Sequence, residues 1–333
     1  MRITSLLIPV MFAANLAGFG LVSWPNAGAQ ESTPPAQSGG VSPSPAARTG
    51  PADHSTSPVT LPRTEQFDLR SKAGLEYRIF VAGPTGEVPT SGSPVIYLSD
   101  GNSNFPVLLN AARRLSRGAQ PAVVVGIGYP SEDGAVHRER RTVDLTSGTS
   151  AESANPRQRA SLTLQSAGND QFLAFIEDEL KPVIEQKHKI DRGRQTLFGH
   201  SFGGLFVLHV LFNKPEAFQT YLASSPSIWW NDASILTEEK AFAKRYANQE
   251  VKARVLISVG EWEQKASSHI PKDRADVLKQ RQMVGSAKDL TTRLVATQIK
   301  GLSVAFREFA EEEHGSVVLP AASRGIRFAL EER

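Results

Sequence analysis

The chain has 333 residues and no cysteine, with 40% hydrophobic and 21% charged residues and a formal net charge of +3. Such a composition is ordinary for a globular protein, and the length suits one large α/β domain with appendages. The missing cysteine excludes disulfides, thiolate metal sites, a thiol nucleophile and a lipidated cysteine, and so small a charge gives no argument for nucleic acid or an anionic membrane surface.

Residues 1–29 carry a lone Arg2, an apolar run over 6–22 and an Ala27-Gly-Ala29 ending, the pattern of a secretory signal cleaved near Ala29. Pro9 and Asn15 break the run, which argues against a stable membrane anchor, so the expected location is periplasmic or secreted. Residues 30–62 are dense in Pro, Ser, Ala and Gly and nearly free of large apolar side chains. Such a segment cannot offset the entropy of ordering and reads as a disordered linker. The folded domain is expected over 63–333.

Residues 65–70 and 76–81 alternate as strands around a Gly-containing turn and predict an antiparallel hairpin at a sheet edge. Short continuous apolar runs at 94–98 and 122–127 suit strands buried on both faces, with a helix predicted between them over 105–115. Helical spacing of Phe172, Phe175, Ile176, Leu180, Val183 and Ile184 predicts a helix over 169–187, capped by Asn169 and kinked at Pro182. Further strands are expected at 196–198, 219–224, 255–259 and 302–308, and helices at 205–212, 289–299 and 317–330. Strands alternating with helices predict an α/β protein with a mostly parallel, doubly wound sheet, whose reactive groups gather at the strands' carboxyl ends. Two stretches fit that scheme poorly, polar 147–167 and charged 264–285, and are expected to be insertions at the active-site end.

The chemistry centres on Gly199-His200-Ser201-Phe202-Gly203, set between an apolar run and a helix-like run. A bare Gly-x-Ser-x-Gly is also what a glycine-rich turn gives. In this strand-turn-helix context it reads as a nucleophile elbow, with Ser201 at the apex. A serine hydroxyl needs a base, and the base an orienting acid, which in α/β hydrolases follow in the order Ser, acid, His. Of the histidines, His269 and His314 follow both Ser201 and the 255–259 strand; His314 is favoured because it lies just past the last strand, in a turn before the final helix. The turn Gly260-Glu-Trp-Glu263 offers two carboxylates, Glu263 preferred and Glu261 the alternative. The oxyanion requires two backbone donors. Phe202 supplies one, and the turn Ser99-Asp-Gly-Asn102 the other, through Asn102 or the adjacent Gly101. His200, beside the serine, is expected to touch substrate. No metal or cofactor is needed for such a reaction.

Several stretches resemble one family, the ferric enterobactin, salmochelin and bacillibactin esterases of the esterase-D-like branch of α/β hydrolases. They are Tyr97-Leu-Ser-Asp-Gly-Asn102, Arg141-Thr-Val-Asp-Leu-Thr146, Phe172-Leu-Ala-Phe-Ile-Glu-Asp-Glu-Leu-Lys-Pro182, Leu197-Phe-Gly-His-Ser-Phe-Gly-Gly-Leu205 and Ser225-Pro-Ser-Ile-Trp-Trp230. The resemblance spans about residues 67–330 and implies an α/β-hydrolase fold, with Ser201 as nucleophile, His314 as base and the acid in the 260–263 turn. It implies ester hydrolysis, in the best-known members of a siderophore trilactone, ferric or iron-free. Arg141 would then lie near the site mouth, holding an anionic ligand or else an acid such as Asp144, and Trp229 and Trp230 would flank the substrate cleft.

The expected protein is thus an exported serine esterase. A general carboxylesterase or an acyltransferase would share its acyl-enzyme, and a siderophore-binding protein without catalysis is the alternative from another class.

Overall fold

The continuous apolar runs become the middle of a sheet because only strands covered on both sides can bury every side chain. The structure, a computed structural model, describes residues 59–115, 121–147, 168–265 and 270–331. Eight strands are seen among these residues: β1 (Thr64–Arg70), β2 (Glu76–Ala82), β3 (Ser93–Leu98), β4 (Val123–Gly128), β5 (Ile190–His200), β6 (Thr220–Ser224), β7 (Ala253–Gly260) and β8 (Leu302–Phe309). They lie in the order β1-β2-β4-β3-β5-β6-β7-β8. The 65–70/76–81 hairpin forms the antiparallel edge, β2 pairs antiparallel with β4, and every pairing from β4 through β8 is parallel.

Alternation along each strand divides the core in two. Val95 and Tyr97 of β3, Leu197 of β5, Tyr221 of β6 and Ile257 of β7 face one side. There they meet α2 (Gly134–Leu145), α3 (Gly168–Phe175), α5 (Phe202–Asn213), α6 (Ile235–Tyr246) and α8 (Met283–Ala296). Ile96, Leu98, Phe198, Leu222 and Leu256 face the other side, against α1 (Gly101–Leu115) and α9 (Val318–Leu330). Burying one such aliphatic or aromatic side chain contributes roughly 1.5–3 kcal/mol, so the central strands dominate the apolar stabilisation. A mostly parallel sheet with helices on both faces, an antiparallel edge and a sharp β5–α5 turn is the α/β-hydrolase fold.

Several helices differ from expectation. α1 begins at Gly101 because Asp100 takes a left-handed conformation (φ 55°) that turns the chain straight out of β3 into the helix. The 169–187 helix starts at Gly168, so Asn169 lies inside it. Its irregularity is a π-helical stretch, Ile176–Leu180, with Pro182 at the start of the following α4 (Lys181–Lys187). Two unexpected helices are polar: α2, capped by Asp133, whose carboxylate accepts from the Ala135 N–H at 2.7 Å, and α7 (Lys272–Arg281). α7 lies within the charged 264–285 stretch, which is therefore helical over much of its length, not a long loop. Gln282, at φ 45°, joins it to α8. The expected leader, most of the linker, the 148–167 part of the other insertion, and His269 lie outside the described residues. Among the described residues, no helix is long and apolar enough to cross a membrane.

Candidate active site

β5 ends at His200, and the chain reverses through Ser201 at φ 61°, ψ −116°, a region sparsely populated by residues with a Cβ. Such strain costs on the order of 1–3 kcal/mol and persists only where neighbours hold it. Three backbone hydrogen bonds do so: the Ser201 N–H donates to Ser224 O at 3.0 Å, and Ser201 O accepts from Leu205 N at 3.0 Å and Ser227 N at 3.2 Å. The flanking glycines are required by space. A Cβ on Gly199 would strike the Gly203 carbonyl, and one on Gly203 would strike Ser99 Oγ. The serine hydroxyl is half-buried, 3.4 Å from Ser227 Oγ, at the N-terminus of α5.

Two strands along, on the far side of β6, β7 passes through Gly260 into a 3₁₀ turn, Glu261–Glu263. The turn sends its two carboxylates in opposite directions. Glu263 is 1% exposed. Its Oε1 accepts from Ser225 Oγ and from the Gly260 N–H, both at 2.6 Å, and its Oε2 lies 2.7 Å from His314 Nδ1. Glu261 instead meets the Glu311 N–H at 3.3 Å and Lys265 Nζ at 3.3 Å, and the Glu311 N–H, more than Lys265, lowers its pKa. Of the two candidates, Glu263 is the one in contact with His314. Because a carboxylate only accepts, Nδ1 carries the proton and Nε2 is left as an acceptor.

His314 sits past β8, where Glu311 (φ 61°) turns the chain and Glu312 O accepts from the Trp262 N–H at 3.0 Å, tying this turn to the 3₁₀ turn. Its ring centre is 4.6 Å from that of His200. Burial above all, with the nearby His314 ring and the Arg141 guanidinium disfavouring a second positive charge, pushes the His200 imidazole down to about 3, so His200 is neutral at ordinary pH. Its Nδ1 lies 3.1 Å from Ser224 Oγ.

The aromatic residues form a cluster beside the elbow. Phe202 meets Trp230 edge-on at 4.6 Å between ring centres, and the two indoles meet each other edge-on at 5.8 Å. Both tryptophans are half-buried. Arg281, brought by the end of α7, stands 4.4 Å from the Trp229 ring centre, and partial burial there lowers its pKa.

Arg141 is held by an acid of the site. Its Nε and Nη2 donate to the two oxygens of Asp100 at 2.7 and 2.9 Å, and its guanidinium lies 5.2 Å from the Phe202 ring centre. One edge of the guanidinium, Nε and Nη2, is therefore engaged, by Asp100 and not Asp144, which lies 3.7 Å from Arg140. Asn102 is also tied down. Its Oδ1 accepts from the Tyr129 N–H at 2.8 Å and its Nδ2 donates to Tyr129 O at 3.0 Å, clamping the start of α1 to the end of β4. As the first residues of α1, Gly101 and Asn102 have backbone N–H groups without intrahelical acceptors.

Four contributors went unread in the sequence: Asp100, Ser225, Ser227 and Arg281. The first three lie in stretches that resemble the family, yet a serine or aspartate after a strand has the look of an ordinary turn residue. Arg281 carried no signal, since its position depends on α7.

A strained serine at a β5–α5 elbow, together with a histidine past the last strand that is paired with a buried carboxylate, is an arrangement of the α/β hydrolases. The Esterase family model matches residues 71–294, and the chain belongs to that family, which makes it an enzyme of the ester-hydrolase class. It is 38% identical to the ferri-bacillibactin esterase BesA of Bacillus subtilis over 81% of this chain and 91% of that one. It is 34% identical to the siderophore triacetylfusarinine C esterase of Aspergillus fumigatus over 83% of this chain and 96% of that one. Among solved structures, the BES protein from Bacillus cereus superposes with a TM-score of 0.70 at 37% identity, covering 84% of this chain and 98% of that one.

Proposed function

We propose that this chain is an exported serine esterase that opens the ester bonds of a siderophore through an acyl-enzyme. The observation that carries the reading is the His314 Nδ1–Glu263 Oε2 pair at 2.7 Å, with the His314 ring centre 4.6 Å from that of His200, the residue before the strained Ser201. Ser201 Oγ turns from Ser227 to the ester carbonyl and passes its proton to His314 Nε2. The imidazolium that forms is stabilised by Glu263 and meets no second positive ring, since His200 is neutral. The backbone N–H of Phe202, with that of Asn102 or Gly101, holds the oxyanion at the N-termini of α5 and α1. His314 then protonates the leaving alkoxide, and water repeats the sequence on the acyl-enzyme.

Substrate identity rests on the relatives, whose named substrates are iron-loaded bacillibactin and triacetylfusarinine C. The half-buried Trp229, Trp230 and Phe202 offer ring faces to such a ligand, and Arg281 offers a cation at their edge. The apolar, Pro-interrupted run at 6–22 with its small-residue ending supports export.

The mechanism is tested by labelling with a fluorophosphonate, which should add once, on Ser201. Turnover of p-nitrophenyl esters and of ferric and iron-free siderophore lactones should fall about 10⁶-fold in Ser201→Ala. Retained turnover in that variant rejects the serine mechanism; cleavage of simple esters alone rejects the siderophore reading and leaves the esterase standing.

A further inference from the structure

The stretch Ser224-Ser225-Pro226-Ser227 leaves the end of β6 between the elbow strand and β7, and each of its serines touches the site. Ser224 accepts the Ser201 N–H at 3.0 Å through its carbonyl and lies 3.1 Å from His200 Nδ1 through its hydroxyl. Ser227 donates its N–H to Ser201 O at 3.2 Å and places its hydroxyl 3.4 Å from Ser201 Oγ. Ser225 donates its hydroxyl to Glu263 Oε1 at 2.6 Å and its N–H to Ser258 O at 2.6 Å. All three are at most 2% exposed.

Ser225 is the least expected of the three. It is held at φ 44°, although a residue before proline ordinarily prefers an extended conformation near φ −120° and one with a Cβ rarely adopts positive φ. Glycine would adopt that conformation without strain. The feature that serine adds is its hydroxyl, and the hydroxyl is spent on Glu263.

We propose that Ser225 is a positioning residue for the acid of the site, an inference that rests on the reading of Ser201, His314 and Glu263 given above. With the Ser225 hydroxyl and the Gly260 N–H both on Oε1, the carboxylate cannot rotate, and Oε2 is the oxygen left to His314 Nδ1. The two donors also disperse the carboxylate's charge. Without the hydroxyl, Glu263 becomes freer to turn and more basic, so it holds His314 less accurately and retains the imidazolium proton to higher pH.

The test uses Ser225→Gly, which keeps the backbone conformation and removes the hydroxyl, and Ser225→Ala, which keeps the Cβ. On p-nitrophenyl butyrate, both are expected to lower kcat at least ten-fold with KM within two-fold of the native value, and to move the acid limb of the kcat–pH profile upward. In a Glu263→Gln background, Ser225→Gly should cost less than two-fold more, because its target is already gone. Should Ser225→Ala fail to fold, Ser225→Gly alone decides. Native kcat in folded Ser225→Gly, an unmoved acid limb, or a full additional loss on top of Glu263→Gln overturns the proposal. If Ser201→Ala abolishes turnover while Ser225→Gly is unaffected, the positioning role fails and the serine mechanism stands; if Ser201→Ala retains turnover, both fail.

Discussion

The two sides of Ser201 are built on opposite principles. At the ends of β6, β7 and β8, Ser225, Glu263 and His314 are joined by hydrogen bonds of 2.6–2.7 Å to a carboxylate that is almost wholly buried. Across the elbow, Phe202, Trp229 and Trp230 meet ring against ring at 4.6–6.4 Å, half-buried, with Arg281 at the rim. The first side tolerates little displacement because each atom has a fixed donor or acceptor. The second is held by contacts that many shapes satisfy, so on the proposed reading it can adapt to the ligand while the first does not. That separation fits a family whose relatives act on siderophores as different in name as bacillibactin and triacetylfusarinine C.

Glu263 is the most sensitive point of the hydrogen-bonded side. Glu263→Gln should lower kcat by about 10²–10⁴-fold, since an amide cannot stabilise the imidazolium and can favour the wrong tautomer. Glu261→Gln, only a turn away on the surface of the same 3₁₀ segment, should stay within two-fold. Comparable losses in both variants would show that the buried pair is not the working one.

A smaller effect is expected at the aromatic side. Arg281→Gln should reduce kcat/KM for an anionic ester, such as a p-nitrophenyl hemisuccinate, about ten-fold (roughly 1.4 kcal/mol) and leave the neutral butyrate ester unchanged. The difference should shrink in high salt, because the cation is near the surface. Equal losses on both esters would instead assign Arg281 to packing on Trp229.

The smallest effect concerns stability. His209, buried on α5 behind the elbow, has its Nδ1 2.7 Å from Glu238 and its Nε2 3.0 Å from Asp170. Burial lowers its pKa, but the hydrogen bonds and charges of Glu238 and Asp170 outweigh that, and the net shift is upward from 6.5. A histidine with a raised folded pKa stabilises fully below its unfolded value and loses that contribution as pH rises through the folded one. The thermal midpoint of the native protein should therefore decline above about pH 6.5, a decline that His209→Gln should flatten. A midpoint with the same pH slope in both proteins would rule out the ion pairs as its source.

Much of the sheet was legible because β3, β4, β6 and most of β7 are continuous apolar runs, which only a doubly covered strand explains. The polar helices were not. α2 and α7 are rich in charged residues, so no clear hydrophobic stripe announced them, and α2 starts at its Asp133 cap. The pairing of Arg141 with Asp100 was equally hidden. It spans 41 residues, and the sequence placed Asp144 much nearer as a partner.

The features legible in the chain alone are local: a serine between glycines at a strand-to-helix turn, a histidine past the last strand, two glutamates in one turn, and the apolar runs of the sheet. Each depends on neighbours within a few residues, whose steric and hydrophobic preferences act without the rest of the chain. Only the tertiary structure decided which glutamate turned inward to His314, that Asp100 neutralises Arg141, that α7 sets Arg281 on Trp229, and that Ser225 donates to Glu263. Those contacts join residues 38 to 51 positions apart wherever they involve Glu263. They exist because parallel strands bring their carboxyl ends together at one edge of the sheet, where groups remote in sequence become hydrogen-bond partners.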